Sequence, residues 1–370
     1  MSRSPVLFLT VAGVGAFLVL ATSVSTPGES AAEFEKRITI SQEEVDAPPD
    51  PELTEAQTAL QAELQEIGEG FAGVVGIAIT EADSLATMSY NGTAPMPQQS
   101  VSKLWVTMTA LDRVDEGALD LSERVTIGRE DLTVFYQPIR NIVKARGSFT
   151  TDYGDLIDRA ITQSDNTAND RLLRHVGGVQ AVEGFLRRNA IEGVQFGTDE
   201  RTKQSRIAGL EWRQSYSQGN TFYDARDEVP EADRRAAFED YLDNPMDGAT
   251  AEGLARALAR LARGDLLSEE STQLLLETMS RTKSGPRRLK GGVPAGWEFG
   301  HKTGTGQFFD GVQSGYNDVG ILTAPDGTRY ALVVLIGQTR ASYAARMEMM
   351  QDVTRRVVRY HEARESNVEA

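Results

Sequence analysis

Ser100 and Lys103, in the run Ser100-Val101-Ser102-Lys103, put a hydroxyl and an amine three residues apart, directly ahead of the apolar stretch Leu104-Trp105-Val106-Thr107-Met108. Residues three apart on a helix share a face. A serine hydroxyl is a weak nucleophile until a base sits beside it. A lysine that partial burial has made less basic can be that base. The same spacing also describes a plain helix start, with Ser100 as N-cap and Lys103 in solvent. Two further groups bear on the choice. Ser164-Asp165-Asn166 follows an amphipathic stretch at 155–162, and Lys302-Thr303-Gly304 ends an extended run that begins at Trp297. Each is common alone, but the three in this order and at these separations form a far more specific signal.

Side chains this far apart need a frame to bring them together. Residues 53–67 have helical periodicity through Leu53, Ala56, Leu60, Leu64 and Ile67. Residues 71–80 and 86–90 read as two strands, the second ending at Asn91-Gly92. From about 119 to 263 the pattern is mostly helical, with breaks at Gly177-Gly178 and near Gly219. Residues 252–262 and 268–280 are expected as helices, and 297–302 as a strand. The turn Pro325-Asp326-Gly327 separates two apolar runs as in a hairpin, and a last helix is expected at 342–361. Strands at both ends therefore bracket a helical middle. The economical fold is α+β: an antiparallel five-stranded sheet flanked by N- and C-terminal helices, a three-layer α/β/α sandwich with an inserted all-helical lobe at about 119–263. A cleft between sheet and lobe is the expected site.

Composition narrows the chemistry. The 370 residues are 40% hydrophobic and 25% charged, as in globular proteins, and carry a net charge of −16, which argues against a nucleic-acid partner. The chain has no cysteine, so disulfides, thiolate metal sites, a thiol nucleophile and a cysteine-linked lipid anchor are excluded. His175, His301 and His361 are scattered without metal-ligand spacing. Residues 1–27 carry Arg3 and then an uncharged apolar run from Pro5 to about Leu20, the pattern of a signal peptide or an uncleaved membrane anchor. Residues 28–52 are acidic and read as a flexible linker. The catalytic part is expected outside the cytoplasm.

The ordered motifs resemble those of the serine β-lactamases and penicillin-binding proteins, and the spacing, the inserted lobe and the hairpin after Lys302-Thr303-Gly304 look most like class A β-lactamases. The resemblance covers residues 53–365. It implies that Ser100 is acylated, that Lys103 helps remove its proton, and that Ser164 passes a proton to the leaving nitrogen, tuned by Lys302. Asn166 would orient the substrate amide and hold Lys103, while Thr303 and Thr305 would bind the substrate carboxylate. The backbone N–H groups of Ser100 and Thr305 would form the oxyanion hole. Gly304 and Gly306 would let substrate approach the strand edge. Tyr136 falls where the family has an aromatic at the cleft rim, or else is a core tyrosine. Arg288 matches an arginine that some members bring to the carboxylate pocket; the other usual position is held by Val319. Alternatively Arg287, Arg288 and Lys290 form a solvated basic face. The implied partner is a small β-lactam or peptidoglycan-like substrate, acting on a monomer, with no metal or organic cofactor.

The departure lies in the second general base. The family carries it as Glu in an E-x-x-L-N motif, which is absent. The usual spacing from Ser164 lands on Asp199-Glu200-Arg201-Thr202-Lys203-Gln204, making Glu200 the candidate, with Gln204 where the family has a water-holding Asn. Glu211 is the alternative if the loop carries an insertion, and the long polar stretch 205–243 is consistent with one. A chain with neither base would be acylated by the drug and stall on it, as a penicillin-binding protein does, or would act as a D,D-peptidase or esterase on another substrate. A glutamate facing the cleft with a raised pKa would favour turnover; acids paired only with Arg201, Arg206 or Arg213 would oppose it.

Overall fold

The computed structural model describes residues 51–368. The expected export segment, 1–27, and nearly all of the linker lie outside the described residues.

Five antiparallel strands run in the spatial order Thr87–Tyr90, Gly73–Glu81, Arg329–Thr339, Tyr316–Thr323, Glu298–Thr305. Side chains alternate along each strand, so one sequence feeds two cores. In Arg329–Thr339, Tyr330, Leu332, Val334 and Ile336 enter one cluster, and Ala331, Val333 and Leu335 enter the other. The first cluster is closed by Leu60 and Leu64 of helix Glu55–Glu69 and by Met350, Val353 and Val357 of helix Tyr343–Val368. The second is closed by helices Lys103–Asp115, Ala251–Arg263 and Glu269–Ser280. Thr54 and Gln57 start the first helix as a reciprocal capping box. The hairpin 316–339 falls into register with Asp318 opposite Val334.

Three departures from the sequence reading have physical causes. Two short strands, Phe308–Phe309 and Val312–Ser314, join the sheet beside the end of Arg329–Thr339 and raise it to seven strands. They are too short for a period to show. The lobe is not wholly helical: Arg124–Ile127 and Phe149–Asp152 form a two-stranded ribbon. Finally, 205–243 is not one irregular loop. It folds into helices Thr221–Glu228 and Glu231–Asp243, whose Phe222, Phe238 and Tyr241 are buried while their acids and arginines face out. With so few apolar anchors, the amphipathic stripe is nearly invisible in sequence. Among the described residues no helix is long and apolar enough to cross a membrane.

Candidate active site

The edge strand Glu298–Thr305 and the lobe enclose an open cleft of about 410 Å³, lined by Ser100, Tyr136, Ser164, Asn166, Glu200 and Gln204, and further by Ser284, Arg288, Thr303 and Thr305. Ser100 is not a helix cap. It sits in a 3-10 turn, Gln99–Ser102, and the α-helix begins at Lys103. Gln99 before it has φ +55°, a left-handed conformation that costs a non-glycine residue roughly 1–2 kcal/mol. Surrounding bonds hold that turn. The Asp247 carboxylate accepts Gln99 N–H at 2.8 Å, and Gln98 Nε2 donates to the carbonyls of Gln195 and Asp247 at 2.9 Å each. Trp105 Nε1 donates to Gln98 Oε1 at 2.7 Å.

Lys103 is fully buried rather than solvated. Burial lowers its pKa to about 8, with Glu200 and Asp165 pulling the other way. Its Nζ donates to Asn166 Oδ1 at 2.6 Å, to the Ser164 carbonyl at 2.7 Å and to Ser164 Oγ at 3.3 Å. These bonds run across the cleft to Ser164 and Asn166. Catalytic hydrogen bonds often tighten only when substrate is present. Lys302 Nζ reaches the same Ser164 hydroxyl at 2.9 Å. Burial, then the charges of Lys103 and Arg288, hold the Lys302 amine well below its ordinary range. One hydroxyl thus bridges two amines that burial makes less basic than an exposed lysine. Local chemistry sets this up. Helix Tyr153–Asp158 widens into a π turn, Arg159–Gln163, that ends with Ser164 at φ +59°. Asp165 then caps helix Asn166–His175 by accepting Ala168 N–H and also accepts Ile139 N–H, while Asn166 Nδ2 donates to the Val134 carbonyl.

Glu200 opens helix Glu200–Ile207, with Asp199 as N-cap, and its side chain is buried in the cleft wall. Burial by itself would raise its pKa. The nearby charges of Lys203 and Lys103 outweigh burial and hold the carboxyl below its ordinary value, so it is ionised at neutral pH. This corrects the expectation of a pKa raised by apolar neighbours. Nor is Glu200 tied to an arginine: Lys203 Nζ lies 3.1 Å from its Oε2, and Gln204 Nε2 donates to Oε1 at 2.9 Å. Glu211 is exposed and is not part of the cleft lining.

At the other end of the cleft Arg288 is buried, not part of a solvated face. It stacks on the Tyr316 ring at 3.8 Å and donates to the carbonyls of Gly304 and Asn317 and to Thr305 Oγ1. Arg287 is exposed. Thr303 Oγ1 and Ser284 Oγ are hydrogen-bonded at 2.6 Å. Tyr136 is 61% exposed, a rim residue and not a core one. The two glycines have a different cause from the one expected. A Cβ on Gly304 would collide with the Gln98 carbonyl, and one on Gly306 with the Ser314 carbonyl. The chain's own backbone occupies that space.

The sequence reading missed Asp247 and Lys203. The Asp247 carboxylate receives Gln99 N–H, Lys203 Nζ at 3.0 Å and Tyr241 OH at 2.8 Å. Tyr241 OH also accepts from Gln99 Nε2, and Gln204 Nε2 reaches Gln99 Oε1. This buried network joins the turn that carries Ser100 to the helix that carries Glu200. The only sequence signal was the position of Lys203, three residues after Glu200 on one helical face.

A family model described as the beta-lactamase enzyme family matches residues 59–361. The extended-spectrum β-lactamase PER-1 of Pseudomonas aeruginosa is 29% identical over 291 residues, 78% of this chain and 83% of that protein. A β-lactamase of Bacteroides uniformis is 26% identical over 280 residues, 75% of this chain and 82% of that protein. Among solved structures, a β-lactamase from Chitinophaga pinensis superposes with a TM-score of 0.67 at 27% identity, covering 82% of this chain and 99% of that one. An ancestral class A β-lactamase does so with a TM-score of 0.62 at 28% identity, covering 81% and 99%.

Proposed function

The chain belongs to the β-lactamase enzyme family, and from that premise we propose that it hydrolyses β-lactams through an acyl-enzyme on Ser100, with Glu200 activating the water that releases it. The observation that carries this reading is the placing of Glu200, buried against Lys203, in the lining of the same cleft as Ser100. Ser100 Oγ attacks the lactam carbonyl and gives up its proton toward Lys103. The C–N bond breaks, and the nitrogen takes a proton through Ser164, whose hydroxyl both lysines touch. Glu200 then removes a proton from a water that attacks the ester carbonyl, and the proton returns to Ser100 as the C–O bond breaks. The backbone N–H groups of Ser100 and Thr305 stabilise the developing oxyanion. Asn166 orients the substrate amide, and Thr303, Thr305 and Arg288 receive its carboxylate. Residues 1–27 export the protein, which acts as a monomer; secretion of the full chain and its sedimentation test these two points.

The decisive experiment follows a chromogenic cephalosporin by absorbance and the protein by intact mass. Steady turnover with Ser100→Ala inactive is expected. A persistent adduct without turnover would refute the role of Glu200 and favour a penicillin-binding protein. Equal activity in Ser100→Ala would refute the whole assignment.

A further inference from the structure

We propose that His361, Asp326 and Glu365 form a binding site for a divalent cation of the zinc class, on the side of the sheet covered by the terminal helices. His361 and Glu365 lie one turn apart on helix Tyr343–Val368, and Asp326 lies in the turn between strands Tyr316–Thr323 and Arg329–Thr339. One ligand atom from each residue falls within 4.8 Å of the others. His361 Nε2 is 3.7 Å from Asp326 Oδ1 and 3.6 Å from Glu365 Oε1. Those separations are too long for hydrogen bonds. They are close to the spacing of ligands that share a tetrahedral ion at roughly 2.0–2.2 Å.

An independent observation concerns the imidazole itself. His361 is 4% exposed, and its buried Nε2 has no hydrogen-bond partner. A buried polar atom left unpaired costs roughly 1–3 kcal/mol, so such atoms call for an occupant. Its other nitrogen, Nδ1, is hydrogen-bonded to Tyr330 OH at 3.0 Å. When Nδ1–H donates to that hydroxyl, Nε2 presents a free lone pair toward the two carboxylates, the arrangement that metal-ligating histidines use. Trp297 meets the ring edge-on at 5.0 Å and fixes its plane. Asp326 and Glu365 are exposed, so an ion has a path from solvent and an open fourth position for water. The nearby Arg364 is engaged by Glu81 and does not fill the site. The other two histidines are committed elsewhere, His175 to Tyr153 and His301 to Asp318, and the chain has no cysteine. The ion would pin the last helix to the hairpin turn.

The test titrates zinc chloride into the untagged full-length protein, stripped with chelator, by calorimetry. One saturable site per chain is expected, together with a zinc-dependent rise in melting temperature. His361→Gln and Glu365→Gln should each weaken binding at least tenfold while leaving cephalosporin turnover unchanged. Copper(II) added instead should quench Trp297 fluorescence in the wild type and not in His361→Gln. Because Glu365 is exposed, its substitution tests the site without threatening the fold. No saturable binding, or binding undiminished in both variants, would overturn the proposal.

Discussion

Replacing Lys203 by Met removes one buried ammonium from between two buried carboxylates. In the native cleft its Nζ is 3.1 Å from Glu200 and 3.0 Å from Asp247, and all three side chains are at most 4% exposed. Burial opposes the lysine's charge, but Asp247 and then Glu200 hold it protonated far above neutrality. Each pair is worth about 5 kcal/mol at an effective dielectric of about 20. Removing one partner of such a pair costs about 3–5 kcal/mol of stability, because the other charge stays buried. The sign for Glu200 follows from its environment. In the wild type its pKa is depressed, so it contributes stability above its ordinary value, and that stability is lost as the pH falls through the folded value. Without Lys203, burial is opposed only by the charge of Lys103 and the Gln204 hydrogen bond, and the carboxyl takes up a proton at higher pH. If about 3 kcal/mol of the pair survives relaxation of the site, the acid limb of kcat moves up by about two pH units. The assay is kcat for a chromogenic cephalosporin between pH 4.5 and 9, with intact mass at each pH. The ratio of variant to wild-type rate should be flat at high pH and fall as the pH drops, and acyl-enzyme should accumulate on the acid side. Lys203→Arg, which keeps a charge, should recover part of the limb. An unmoved acid limb in a folded Lys203→Met protein would refute the argument that this lysine keeps Glu200 ionised.

Lys103→Met should abolish acylation and also change how stability depends on pH. The native amine has a pKa of about 8 against 10.5 for an unburied lysine, so between those values the unfolded chain binds more protons and stability rises with pH. The wild type should gain up to about 3 kcal/mol across that window relative to the variant, measured by urea unfolding at pH 7.5 and 10.5. Arg288→Lys loses the fork that reaches Gly304, Asn317 and Thr305 at once; KM for carboxylate-bearing substrates should rise roughly tenfold with a smaller change in kcat. Gly306→Ala pushes a methyl into the Ser314 carbonyl and should lower stability by about 1–3 kcal/mol, read as a fall in melting temperature.

What the sequence disclosed and what it hid divide along a physical line. Ser100 with Lys103, Ser164 with Asn166, and Lys302 with Thr303 are each local groups whose spacing expresses one helix turn, one cap or one strand end. The unbroken apolar run of 330–336 beside a turn likewise announced a hairpin strand. The short strands 308–309 and 312–314 had no room for a period, and helices 221–228 and 231–243 bury only three side chains between them. Asp247 was invisible for a different reason: it acts on Gln99, 148 residues away, and on Lys203, 44 residues away. His361 and Asp326 likewise meet only because a helix end lies over a hairpin turn, so the scatter of histidines along the chain carried no information about them.

That division explains how the chain can lack the family's E-x-x-L-N pattern and still present an ionised glutamate. The pattern is one local solution to a tertiary problem, which is to hold a carboxylate beside the nucleophile without letting burial protonate it. Here a cation at Lys203 serves, anchored in turn by Asp247. Because Asp247 also fixes Gln99 N–H in its strained turn, the aim of Ser100 and the charge of Glu200 depend on one buried carboxylate. With Ser100 and Glu200 in the roles proposed above, acylation and deacylation geometry would be coupled through Asp247, and a substitution there should impair both steps together. Lys203 Nζ also donates to the Gln99 carbonyl at 3.3 Å, so substitutions there should affect deacylation through Glu200 and disturb the turn under Ser100 less than substitutions at Asp247, which accepts the Gln99 amide.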